Sequence, residues 1–324
     1  MTLKRIPRDK ACQLELNKDL SPALIVKQNE EFIVETEDAL GGKVRSQDDL
    51  PIESTFGPMS KTTPPSANPV AGPIYVEDVE PGDILVVDIL DIIPDSQGAT
   101  CITPGVGPLS DSYNWPMGRG PYTHIIKHEP GKSGTTSDGK GILTPNVTWD
   151  LHPFIGTIAT APEREVRATL TSQGPWGGNM DVRDICKGNR IYFPSYNSGG
   201  LLFLGDVHGS QADTEFTGSA DETRSEVKMK CSVIREKKIP FVRIEKPNSI
   251  IQLNSYRPLE DTLKQAILWM MSWLVGEYGV ESRETYLHMT VNPDVRMNIY
   301  QMVAIADLNY TVGVEFPKKY LPGR

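Results

Sequence analysis

Glycine and proline recur along the whole of this chain, at 28 and 26 of its 324 residues. Proline lacks a backbone donor and glycine opens backbone angles closed to other residues, so together they end regular elements early. The chain is thereby cut into short segments joined by turns, which favours strands over long helices. Residues 21–39 predict two short strands around a polar turn, and residues 82–92 (GDILVVDILDI) a stronger one after the turn residues Glu80 and Pro81. In the middle third, ILTPN, FIGTIATAP, REVRATLTS, NRIYFPSY, GGLLFLGDVHG and SEVKMKCSVIRE carry β-branched or aromatic residues between turn signals. Residues 94–137, rich in Gly, Pro and Ser with no sustained period, predict long loops over the core that carry His124 and His128.

The last third changes period. Leu259, Leu263, Ala266, Ile267, Met270, Trp273 and Leu274 recur at helical spacing, and Gly279 stands where a C-terminal cap belongs. A second, shorter helix is predicted from Ser282, its hydroxyl capping SRETYLHM, and VAIADLNYTVGVEF reads as a closing strand. The fold class expected is mainly β, a sandwich- or barrel-like β body with a C-terminal α+β portion. By position this divides into an N-terminal β-rich part with long loops over residues 1–150, a central barrel-like part over 151–240 and the α+β part over 241–324.

Several function classes are disfavoured. A net charge of -9 without a basic cluster lacks the footprint of a protein that grips nucleic acid. No apolar run approaches the ~20 residues that span a bilayer. The N-terminal MTLKRIPRDKACQLEL has no continuous apolar stretch or small-residue cleavage site, so a cytoplasmic location is expected. Cys12, Cys101, Cys186 and Cys231 are far apart and form no CxxC pair, which reads as free thiols. GxSxG, a Ser-Ser-Lys amidase setting, a phosphate loop and GxGxxG are all missing.

The segment GDVHGSQADTE is the most informative. Asp206 and His208 end an apolar strand, and a period of two puts both on one face. Carboxylate oxygen with imidazole nitrogen suits zinc or a similar divalent ion, and Gly209 allows a sharp turn there. If the chain is extended again after Ser210, then Gln211, Asp213 and Glu215 share a face too. Carboxylates so concentrated repel and raise one another's pKa unless a cation intervenes. In QGPWGGNMD, glycines permit close approach to a ligand, Asn179 offers a donor to a carbonyl oxygen, and Asp181 is a ligand or an orienting group. A solvated acidic turn and a tight glycine turn under Trp176 are the plainer readings of these two segments.

Over nearly its full length the chain resembles the acetamidase/formamidase family. The resemblance rests on NKDLSPALIVKQNEEFIVETEDA, NPVAGPIYVEDVEPGDILVVDI, GPWGGNMDVRDICKGNRIYFP and GDVHGSQADTE, in matching order and spacing. In length it is nearer the short acetamidase type than the longer formamidases. The resemblance implies hydrolysis of short aliphatic amides to carboxylate and ammonia, a bound divalent ion, zinc or calcium, and self-association as a homodimer or higher homo-oligomer. By position the family's GDxHxxQGDGE-like motif falls on Asp206, His208, Gln211 and Glu215, its ETxDA-like segment ends on Asp38, and its GGNMD segment falls on Gly177 to Asp181. Ala212 and Thr214 replace usual glycines, and Trp176 replaces a smaller polar residue or His, departures that narrow the site and bear on the substrate.

The mechanism expected from this likeness puts the metal on Asp206 and His208, with Asp38 and Asp181 as further ligands or outer supports. Glu215 is the proton shuttle, and Asn179 stabilises the oxyanion. Gln211 and Gly178 are assigned to the substrate. The rivals are a calcium- or sugar-binding β module, against which His208 argues because calcium prefers oxygen, and a hydrolase of another linear or cyclic amide, such as a lactam.

Overall fold

Alternation along a strand decides which residues this protein buries. In Ser225–Ile234, Ser225, Val227, Met229 and Cys231 point inward while Glu226, Lys228 and Lys230 point outward, the pattern of a sheet with one covered face. In Leu202–His208 every residue is buried, as a near-continuous apolar run requires of a strand covered on both faces. The structure is a computed structural model and describes residues 3–51, 67–303, 305 and 308–322.

Among the described residues the strands form two large sheets and one small two-stranded one. A nine-stranded sheet runs in the order Lys4–Ile6, Glu31–Thr36, Ser225–Ile234, Ile84–Pro94, Arg190–Pro194, Arg243–Glu245, Ser249–Tyr256, Tyr310–Pro317, Arg296–Gln301. It draws strands from the first, middle and last thirds of the chain. The second sheet has eleven strands, with Leu202–His208 at its branch point, paired to Phe154–Thr160, Glu222–Thr223 and Val70–Val76. One buried cluster joins the two, with Val87, Ile89 and Val227 from the first and Ile155, Leu204 and Val207 from the second. The mainly β expectation holds.

The C-terminal portion is α+β, as expected. Helix α1 (Leu259–Tyr278) ends at Gly279, whose φ of 68° is the left-handed cap. Its Ala266, Met270, Trp273 and Leu274 pack on Val312, Val314 and Phe316 of the sheet. Helix α2 (Ser282–Val291) is capped by Glu281, whose side chain accepts from the Glu284 N–H, and not by Ser282, which is already helical. The closing strand is Tyr310–Pro317; Ala304, Ala306 and Asp307 of the segment expected there lie outside the described residues.

The expectation of long loops over 94–137 holds for residues 103–121 and fails on either side of them. Gln97–Ile102 and Tyr122–Glu129 are paired strands, with His124 and His128 on the second. The pattern was hidden because two of the inward residues are polar. Thr123 donates to the Asp49 carbonyl at 2.6 Å, and His128 lies within 3.0 Å of Asp221.

Candidate metal centre

Asp206 and His208 do share a face, and the His208 Nε2–Asp206 Oδ1 distance is 3.1 Å. Asp206 gets there by an unusual route, for its φ is +56° inside the strand. The pairing with Phe154–Thr160 keeps register on either side, but Gly156, opposite Asp206, gives its carbonyl to the Met180 and Asp181 N–H groups instead. That bond draws Asp181 against Asp206. A Cβ at position 156 would lie 2.7 Å from Asp181 Oδ1 and 2.9 Å from Asp206 Oδ2, so glycine leaves open the space the two carboxylates face.

Two further carboxylates close the centre. The chain after Ser210 is not extended. Asp213–Glu215 is a 3-10 turn with Thr214 at φ 76° and Glu215 at φ 44°. The turn separates residues that a period of two would have aligned. Asp213 pairs with Arg183 at the surface, whereas Glu215 is buried. Glu222 arrives from the neighbouring strand, in register with His208, its Oε2 3.2 Å from His208 Nε2. Asp181, Asp206 and His208 present ligand atoms all within 4.8 Å of one another, and so do His208, Glu215 and Glu222.

The other predicted residues divide. Gln211 donates to the Asp181 and Tyr300 carbonyls at 3.1 and 2.9 Å. Its Oε1 therefore faces His208 Nδ1, at 2.9 Å, which must carry a proton and leaves Nε2 towards the carboxylates. Asn179 lines the same small void as the carboxylates, its Nδ2 held by the Leu170 carbonyl and its Oδ1 by the Thr157 hydroxyl. Gly178 pairs with Ile158 at φ 120°, and a Cβ there would meet the Ser172 carbonyl at 2.0 Å, so backbone packing alone requires glycine. Asp38 is buried, but it accepts from the Gly42 N–H and faces Arg45 and Arg224; the two groups of ligand atoms do not include it.

Sequence reasoning missed Glu222, Thr157, Asn68 and Gln301. Thr157 donates to Asp206 Oδ2 at 3.0 Å, and a hydroxyl inside the otherwise apolar FIGTIATAP, which also holds Thr160, was its only signal. Glu222 sits beside Asp221, and adjacent strand residues face opposite ways. Glu222 borders the void of about 40 Å³ at the centre, while Asp221 lines a separate cleft of about 890 Å³ and bonds His128.

Burial and crowding set the charges. Burial, with the charge of Asp206 beside it, pushes Asp181 up to about 6. Burial pushes Glu222 up to about 7 although His208 favours its ionised form. Glu215 is raised well above the ordinary carboxyl range by burial and by Asp181. Burial opposes a charge on His208, yet Glu222 and Asp206 hold its pKa well above that of a free imidazole. Asp181 Oδ1 has no hydrogen-bond partner, and Glu222 Oε2 faces His208 Nε2 at 3.2 Å without forming a hydrogen bond of good geometry. Unpaired carboxylate oxygens, an imidazole whose Nε2 faces them and the space kept by Gly156 together form a donor set that fits a divalent cation.

The fold and the centre define a class: a two-sheet β protein that buries a carboxylate–imidazole cluster suited to a divalent ion. The chain belongs to the Acetamidase/Formamidase family, whose profile matches residues 6–174 and 168–319. It is similar to a formamidase of Methylophilus methylotrophus, 31% identical over 247 residues, 61% of this chain and 58% of that one. An acetamidase of Mycolicibacterium smegmatis is 26% identical over 248 residues, 61% and 59% of the two chains. Each match thus spans under two thirds of the relative's length. Among solved structures, an acetamidase from Yersinia enterocolitica superposes with a TM-score of 0.84 at 28% identity, covering 98% of this chain and 92% of that one. A gamma lactamase from Delftia acidovorans, at 21% identity and a TM-score of 0.59 over 94% and 88% of the two chains, shares the fold alone.

Proposed function

We propose that this protein is a metal-dependent hydrolase of short aliphatic primary amides, releasing carboxylate and ammonia. The observation that carries the reading is the buried set Asp181, Asp206, His208, Glu215 and Glu222. The family membership and the names of the relatives supply the bond cleaved. Asp206, Asp181 and His208 Nε2 would hold the ion, which we take to be zinc because an imidazole joins the carboxylates. When bound, such an ion polarises a carbonyl and lowers the pKa of water.

The chain's own residues do the rest. Gln211 fixes the His208 ring by accepting its Nδ1 proton, and Thr157 turns Asp206 by donating to Oδ2. Glu215, its pKa raised by burial and by Asp181, is the proton shuttle, taking a proton from the attacking water and returning it to the departing nitrogen. The small volume of the void favours short acyl chains over long ones. Among the described residues no helix is long and apolar enough to cross a membrane. Self-association and a cytoplasmic location belong to the proposal; exposed Tyr286, Leu287 and Val291 on α2 offer an apolar face for a second copy.

Ammonia release from formamide, acetamide and propionamide, measured before and after chelation and again with zinc restored, tests the reading. Activity should vanish with the metal and return with it. Turnover indifferent to chelation would remove the metal, and no turnover of any amide would remove the substrate class.

A further inference from the structure

The void beside the carboxylates is bordered by two amide side chains with unused hydrogen-bonding groups. Gln301 is fully buried beside Asp181, whose ionised form its side chain favours, and neither its Oε1 nor its Nε2 makes a hydrogen bond of ordinary geometry. Asn68 is 1% exposed, and its Oδ1 is equally unpaired. Both residues line the void together with Asp181, Asp206, Glu215 and Glu222. A buried polar group left without a partner is destabilising, so three such atoms around one space call for an occupant.

The orientation of Asn68 follows from its neighbours. The Thr157 hydroxyl lies within 3.2 Å of Asp206 Oδ2 and Asn179 Oδ1, both acceptors, so its proton points to them. Its lone pair then accepts from Asn68 Nδ2, at 3.0 Å, and Asn68 Oδ1 is left as the free acceptor. The backbone holds this arrangement. Asn68 sits at φ 63° with its N–H on the Ala39 carbonyl, and Gly205 lets the chain at Pro69 and Val70 lie close, since a Cβ there would stand 2.5 Å from the Pro69 carbonyl. Gln301 ends the strand Arg296–Gln301, and the next residue, Met302, donates its N–H to the Thr214 carbonyl, so the strand end is tied to the turn that carries Glu215.

We propose that Asn68 and Gln301 recognise the carboxamide group of the substrate, and so select primary amides over esters and carboxylates. This rests on the hydrolase reading above. A primary amide carries two N–H donors and one carbonyl acceptor. Asn68 Oδ1 and Gln301 Oε1 match the donors, and Gln301 Nε2 matches the carbonyl. An ester lacks the N–H groups and would leave Asn68 Oδ1 unpaired, while a carboxylate product offers that acceptor no N–H and would meet the Asp181 carboxylate with like charge. The space of about 40 Å³ amounts to ~3 water-sized spheres, enough for a small polar head but not a long chain.

Gln301→Met and Asn68→Leu remove the groups at nearly constant size from two separate segments, so that misfolding of one leaves the other informative. Kinetics with acetamide and with methyl acetate are compared, alongside metal content, melting temperature and ligand-observed NMR of acetamide binding. Each variant should lose ~10- to 100-fold in kcat/KM for acetamide relative to methyl acetate, with metal content retained. An unchanged ratio in both variants overturns the proposal and leaves the hydrolase reading intact. If the wild type binds acetamide without releasing ammonia, the hydrolase reading falls, and loss of that binding in the variants still supports recognition. A wild type that neither binds nor hydrolyses acetamide overturns both.

Discussion

Asp181, Asp206 and Glu215 occupy φ values of 49°, 56° and 44°, a region that costs a non-glycine residue of order 1–3 kcal/mol. Asp181 and Asp206 are held there by Gly156, Gln211 and Thr157, whereas Glu215 is held through the backbone of its turn, whose Thr214 carbonyl accepts from the Met302 N–H. Glu215 differs from its neighbours in arriving on a turn, which suits proton transfer better than a fixed ligand would. Glu215→Gln keeps the volume and removes the basic carboxylate. We expect bound metal to stay while turnover falls by roughly 100-fold or more. His208→Ala should release the metal. Elemental analysis and ammonia assays on the two variants side by side decide the matter: equal metal loss makes Glu215 a ligand, and full activity removes it from the chemistry.

At the scale of elements, the strands place the centre and α1 supports the sheet from a distance. Among the described residues that line the void, none comes from α1. Met270, Trp273 and Leu274 instead cover Val312, Val314 and Phe316, and Arg243 lies over the Trp273 ring at 4.1 Å. Leu274 is 1% exposed, whereas Leu263 is only half-buried, so Leu274 reports the packing better. Leu274→Ala should cost about 2–5 kcal/mol in denaturant unfolding, with ammonia release per folded molecule unchanged. A variant of normal stability that lost turnover would instead connect the helix to the site.

Across the whole molecule, the cluster couples stability to pH and metal. Without metal, Asp181, Glu222 and Glu215 have folded-state pKa values above those of the unfolded chain. Their contribution is fully present below the unfolded values near 4 and is lost as pH climbs through about 6 and 7. The raised His208 acts in the same direction, and the lowered Asp206 matters only at more acid pH. A bound cation favours the ionised carboxylates and the neutral imidazole, so the slope reverses. The gap in melting temperature between zinc-loaded and chelated protein should widen from pH 5 to pH 8; a constant gap would place the ion elsewhere. Local pattern made much of this protein legible from its residues. Turn density foretold the β fold, a 3.6 period with a glycine cap foretold α1, and two residues in GDVHG foretold one face of the centre, because each depends on neighbours along the chain. Polar inward residues such as Thr123 and His128 hid two strands, since their partners lie far away in sequence. Glu222 entered the centre through cross-strand register, Asn68 and Gln301 through strand ends, and Asp38 took up its bond to Gly42 instead. Only the tertiary structure decided those memberships, because register and burial are set by the packing of two sheets and not by any local preference.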